Sequence, residues 1–347
     1  MRRVVVVLGS LAALAGCGDL SQEDLLFRAA VPPREAVAVT PPGSGDGDDD
    51  DTDSSETQGL EVVCADGDLR CEAQKIATGF NALTFGLLTA VDNVAALPPT
   101  HRAPGRRIWG PHYDAQKDET FRFEMVREDD EKTFSFCLFA TQGRVGLGRG
   151  GPELDCDDDD DGRLIQIFSG SFVPDGLNDN AARRGAGTMR FHAERASRLD
   201  GSDRFARVLD FAFDNTNDRS KIRVDVVGTT VGDEERDAGY DFSRETDGSG
   251  TFLFDVFADL VSEGLIPERR LEHIQLAARW DADQAGRATG VVDDGDIAEG
   301  TQFRIDQCWG PAPTFETTFF DGVGDDVAPT GDPLRCVFEA SEVTPAG

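Results

Sequence analysis

TFRFEMVREDDEKTFSFCLFA, residues 120–140, reads as two strands around an acidic turn. Phe121, Phe123 and Met125 alternate with polar neighbours, and beyond Glu128 to Glu131 the same period returns in Phe134, Phe136 and Leu138. A period of two puts one apolar face on each strand, while a run of acids suits a solvated tip. The pattern continues in Ile165 and Ile167, Met189 and Phe191, Leu209 to Phe213, and Ile222 to Val226. Further on it recurs in Phe252 to Val256, Ile274 to Trp280, Phe303 and Ile305, and Phe315 with Phe319. Asp247-Gly248 between YDFSRE and TFLFDVF marks a hairpin. About ten to twelve strands joined by short turns imply an antiparallel up-and-down sheet with one covered and one wet face. Such a sheet is expected to curl toward a barrel or fold into a two-layer sandwich, because a long exposed edge invites aggregation.

On the N-terminal side of residue 120 the period is helical. Ile76, Phe80, Leu83, Leu87, Val91 and Val94 recur every three or four residues and form one apolar stripe between Asp68 and Leu97. Asp68 suits the N-cap, and Pro98-Pro99 ends the run. One long N-terminal helix packed on the sheet is the expectation. Residues 31–59, rich in Pro, Gly, Ser and Asp, carry too few apolar side chains to offset the entropy of ordering and read as an acidic tether. Residues 19–30 suit a brief helix ahead of it.

The chain opens MRRVVVVLGSLAALAGC: two arginines, an apolar run too short to span a bilayer, and small residues before Cys17. Leu14-Ala15-Gly16-Cys17 resembles the lipobox of bacterial lipoproteins. The resemblance implies diacylglyceryl transfer to Cys17, cleavage before it and N-acylation, hence a stable membrane anchor. It also implies a place in the bacterial cell envelope, periplasmic or surface facing, with Gly18 after the cysteine favouring outer over inner membrane. The domain reading is 1–16 signal peptide, 17–59 lipidated N-terminus and tether, 60–342 a single helix-plus-β domain, and 343–347 a tail.

Seven cysteines are an odd number for an exported chain, but setting aside Cys17 leaves six for disulfides. Connectivity is open; proximity in sequence suggests Cys64 with Cys71, Cys137 with Cys156, and Cys308 with Cys336. Zinc ligation lacks CxxC pairs and a partnering histidine.

With 34 basic against 66 acidic residues and a net charge of -32, the chain lacks the Lys/Arg excess that a polyanion binder needs to release counterions from phosphates, so no nucleic-acid partner is expected. Asp157, Asp159 and Asp161 before Gly162 have the spacing of the first half of an EF-hand loop, which would take calcium. Phe168 stands where a bidentate glutamate should close that loop, and a solvated acidic loop explains the run equally. His101, His112, His192 and His273 show no paired ligand spacing. There is no GxSxG, Walker or GxGxxG motif in a fitting context. Trp109 to Tyr113, with Trp280 and Trp309, either cover sheet ends or form a ligand platform. No catalytic residue is assigned and no cofactor beyond the calcium candidate. The expected role is a non-enzymatic interaction or structural one at a membrane, with a protein partner. The alternative is a carrier holding a lipid or other hydrophobic ligand inside the β domain.

Overall fold

The computed structural model describes residues 20–43, 64, 67–145, 156, 164–175, 184–201, 206–216, 219–231, 234–258, 271–295, 297–298, 300–322 and 328–345. Among these, three α-helices occur: α1 (Gln22–Ala29), α2 (Leu69–Ala95) and α3 (Ala193–Asp200). The strands are β1 (His101–Ala103), β2 (Arg106–Asp114), β3 (Glu119–Arg127), β4 (Phe134–Gln142), β5 (Ile165–Pro174), β6 (Gly185–Phe191), β7 (Val208–Asn215) and β8 (Ser220–Val231). They continue as β9 (Glu234–Arg244), β10 (Gly250–Ala258), β11 (Glu272–Trp280), β12 (Gly286–Asp294), β13 (Phe303–Trp309), β14 (Thr317–Asp321) and β15 (Thr330–Gly331). These fifteen described strands pair in chain order. Every pairing with a defined register is antiparallel. The sheet is therefore an up-and-down meander, and it is not closed, since β1 and β15 stand at opposite ends of the order. Both end strands are very short, which blunts them as templates for further pairing.

Two compact units divide the chain: residues 1–38 with 82–237, and residues 39–81 with 238–347. Helix α2 contributes its first half to the second unit and its second half to the first. The Cys71 N–H donates to Asp68 Oδ1 (3.1 Å), so Asp68 caps α2 as its position suggests. The buried stripe runs through Leu69, Ala73, Ala77, Phe80, Thr84, Leu87, Val91 and Val94. Ile76 and Leu83 flank it at intermediate exposure. Its first half packs on strands of the second unit: Leu69 packs where Gly290 of β12 has no side chain, and the Phe80 ring meets Tyr240 of β9 at 5.9 Å. No helix among the described residues is long and apolar enough to cross a membrane.

In the first unit the inward face of β3 to β8 is apolar from Phe123 to Val226, as the alternation predicts. Several rings lie across glycines of the next strand. A Cβ on Gly170 would come within 2.7 Å of the Phe136 ring, and one on Gly187 within 2.9 Å of Phe213. The second unit repeats the device with tryptophans, Trp280 across Gly250 and Trp309 across Gly286. Flat rings over glycines fill sheet surface that would otherwise be left bare.

The expectation of one wet face needs correction for parts of both units. On β3 and β4 the opposite face is buried too, with Arg122, Glu124, Cys137 and Phe139 shielded from solvent. Arg106 and Arg122 hold Glu124 there, at 2.5 and 3.0 Å, so the buried carboxylate is paired. In the second unit the C-terminal segment covers β12 and β13. Arg287 pairs in fork geometry with Asp306, and its Nη1 donates to the Phe338 carbonyl (3.0 Å). Arg279 pairs with Glu342 at 3.0 Å and lies over the Phe338 ring.

Three disulfides join Cys64 to Cys71, Cys137 to Cys156 and Cys308 to Cys336, the pairs that proximity suggests. The last staples the C-terminal cover onto β13. Each closes a loop worth roughly 2.5 to 3.5 kcal/mol in the chain-entropy account.

Candidate functional site

The tether is the second correction. Residues 31–43 do not form a solvated linker; Val31, Ala36, Val37 and Val39 are buried. In the first unit Arg34 donates to Thr89 Oγ1 (2.6 Å), and the Glu35 carbonyl accepts from Asn215 Nδ2 (3.2 Å). In the second, the Asn81 amide exchanges two hydrogen bonds with the backbone of Val39 (2.9 and 2.8 Å). Gln74 Nε2 donates to the Pro42 carbonyl (2.5 Å), and the Gly43 N–H donates to Gln284 (3.3 Å). Long-range amide partners satisfy a backbone that forms no sheet, and Pro32-Pro33 and Pro41-Pro42 lower the entropy lost on docking. Composition alone does not show such partners.

Ahead of that segment, α1 is fixed by a cluster of hydrogen-bonded charges in the first unit. Ser21 and Asp24 form a capping box: the Ser21 N–H donates to Asp24 Oδ2 (2.8 Å), and the Asp24 N–H donates to Ser21 Oγ (3.1 Å). The same carboxylate accepts from Arg107 Nε (2.6 Å) and Arg102 Nε (3.0 Å), while Arg107 Nη2 reaches Glu23. Arg107 also donates through Nη1 to the carbonyls of Ala103 and Arg106 (both 2.7 Å), and its guanidinium lies 5.0 Å over the Phe27 ring. Phe27 in turn packs edge-on against Phe134 of β4. A helix of eight residues would not hold in isolation; this cluster and Phe27 hold it on the sheet.

Burial pushes the Asp24 carboxyl upward, but the Ser21 N–H, Arg107, the Ser21 hydroxyl and Arg102 outweigh it and hold the pKa at about 2, below the ordinary 3.8. A depressed carboxylate stabilises the fold fully above its unfolded pKa and loses that contribution as pH falls through the folded value. Between about pH 4 and pH 2 the wild type is expected to lose on the order of 2 kcal/mol that an Asp24→Asn variant does not have to lose. Denaturant midpoints for both proteins across this window check it; parallel pH profiles would contradict it.

The second polar cluster lies on β10 to β12. His273 Nε2 stands 2.8 Å from Asp255 and its Nδ1 3.2 Å from Asp293, while Gln275 donates to the other Asp255 oxygen (3.1 Å). The Phe257 ring stacks on the imidazole at 4.6 Å. Each ring nitrogen thus lies against a separate carboxylate. The strand register assembles the group: His273 pairs with Asp293 on one side and Phe257 on the other.

His112 rests against Phe121, and burial lowers its pKa. His192 caps the start of α3 without a side-chain cap bond, and His101 lies on edge strand β1. Trp109, Trp280 and Trp309 are all buried, each indole N–H donating to a carbonyl, of Leu97, Gly248 and Gln284 respectively. They are sheet-end packing. No group of three or more His, Cys, Asp or Glu fit for a metal occurs among the described residues. Cys17 and the calcium candidates Asp157, Asp159 and Asp161 lie outside the described residues. Comparison of the chain with protein-family models, with curated proteins and with solved structures found no match.

Proposed function

We propose that this chain is a bacterial envelope lipoprotein, anchored through acylated Cys17, whose disulfide-bonded β domain has an interaction or structural role without catalysis. The observation that supports it is the cysteine balance. Of seven cysteines, six are consumed by three disulfides, which leaves Cys17, the residue at the end of the lipobox-like run. The non-catalytic part rests on the polar clusters: the Asp24 and His273 groups spend their hydrogen-bonding capacity on each other. Outer membrane is preferred to inner, on Gly18. The finer architecture, a sheet curled toward a barrel or folded into two layers, belongs to this proposal; what supports it is the depth of burial on both faces of β3, β4 and β12.

The carrier reading is the alternative. The inward glycines that would leave room for a ligand, such as Gly170, Gly187 and Gly286, are covered by rings, so the interaction reading stands first. A lipid-sized mass retained under native conditions and released on denaturation would reverse that order.

Replacing the anchor tests the leading reading. Cys17→Ser, expressed in an exporting bacterium, is expected to move at least tenfold from the membrane pellet to the soluble fraction while remaining folded. Retention of the variant in the membrane would overturn the assignment.

A further inference from the structure

We infer that the face of the first unit formed by the start of α1 and by β1 sits directly on the lipid headgroups; this rests on the reading of Cys17 as acylated. Gly18, Asp19 and Leu20 are all that separate Cys17 from Ser21, and Ser21 is already committed to the Asp24 capping box. Even fully extended, that connection reaches only about 14 Å from Cys17 to Ser21. The acidic stretch 44–63 adds nothing to this reach whatever its conformation. It leaves the second unit at Gly43, bonded to Gln284, and returns at Cys64, bonded to Cys71. Residues 44–63, which hold the rest of the tether reading, lie outside the described residues.

The chemistry of the face suits that position. Leu25 is 50% exposed on α1, one of few large apolar side chains so placed among the described residues. Charge is locally free of an acidic excess: Glu23 and Asp24 stand against Arg28, Arg102 and Arg107 in a chain whose net charge is -32. The Arg102 side chain remains 41% exposed while paired to Asp24, within reach of a lipid phosphate. An anionic leaflet repels the chain as a whole, but this patch meets it without a net acidic excess.

The test uses the full lipidated chain in vesicles of phosphatidylethanolamine and phosphatidylglycerol carrying a headgroup nitroxide quencher. A fluorophore is placed on Leu25→Cys or on Gln116→Cys, the latter at the far tip of the β2–β3 hairpin. Residues 107 to 114 of β2 put that tip about 23 Å further along the strand than Arg107. Quenching at position 25 is expected to exceed that at 116 severalfold. A spacer of about twelve Gly and Ser residues inserted after Gly18, with a root-mean-square reach near 20 Å, should abolish the difference. Acylated, vesicle-bound protein with no excess quenching at 25, or with quenching the spacer leaves unchanged, overturns the inference and leaves the anchor standing. Protein with no acyl mass that fails to float with vesicles overturns both.

Discussion

Arg107→Leu, with Asp24 and Glu23 left in place, is expected to destabilise the first unit by about 3–5 kcal/mol, because it strands a buried carboxylate. Asp24 is 2% exposed and takes its two arginine bonds from Arg107 and Arg102. Arg102 alone does not replace the geometry, since Arg107 also ties α1 to the carbonyls of Ala103 and Arg106. The pair contributes more to the position of α1 than to net stability. Joint replacement, Asp24→Leu with Arg107→Leu, is therefore expected to recover much of the loss. Hydrogen exchange reads the effect locally: protection in residues 22–29 and in β2 should fall in the single variant while β10 to β12 stay protected. Equal loss in single and double variants would show that the arginine acts through packing on Phe27 rather than through its charge.

Trp280→Ala is the counterpart in the second unit, with an expected cost of about 3–5 kcal/mol. The indole covers Gly250, stacks with Phe242 at 6.1 Å, and donates to the Gly248 carbonyl at the hairpin turn (2.9 Å). Truncation removes the filler from a strip of sheet that has no side chain of its own, and leaves that carbonyl without its donor. Trp280→Phe keeps a ring but not the N–H, so its cost should be nearer 1 kcal/mol beyond the lost volume. Denaturant unfolding followed by near-ultraviolet circular dichroism checks both. A Trp280→Ala variant as stable as wild type would show that the glycines, not the rings, set the packing.

Much of this fold is legible in sequence because its core is phenylalanine at period two. The residues from Phe121 to Met125 lie on β3, those from Phe134 to Leu138 on β4, and Asp247-Gly248 turns β9 into β10. What escaped lacks that period for physical reasons. β2 carries Gly110 and Pro111 at a register shift, which reads as a turn. β12, GRATGVVDD, is built of small residues because Leu69 packs against it on one face and the Arg287–Asp306 pair on the other. Burial of both faces of β3 and β4 is not legible because Arg122 and Glu124 look solvated until they are seen paired with each other.

At the N-terminus the legible and illegible parts meet. Ser21-Gln22-Glu23-Asp24 ahead of Leu25-Leu26-Phe27 is a capping box before an apolar run, and α1 follows from it. That α1 and the prolines after it dock depends on Arg107, Asn81 and Gln74, far away in sequence, which no local window reveals. The six disulfide cysteines paired by proximity because each loop is short enough to close within one piece of the fold.

Intact mass under non-reducing conditions, on protein extracted from the membranes of an exporting bacterium, tests the central claim most directly. The account predicts a chain that begins at Cys17, carries the added mass of its acyl groups, and lacks two hydrogens for each of three disulfides. A chain that begins elsewhere, or a Cys17 that is a free thiol or part of a disulfide, would contradict it.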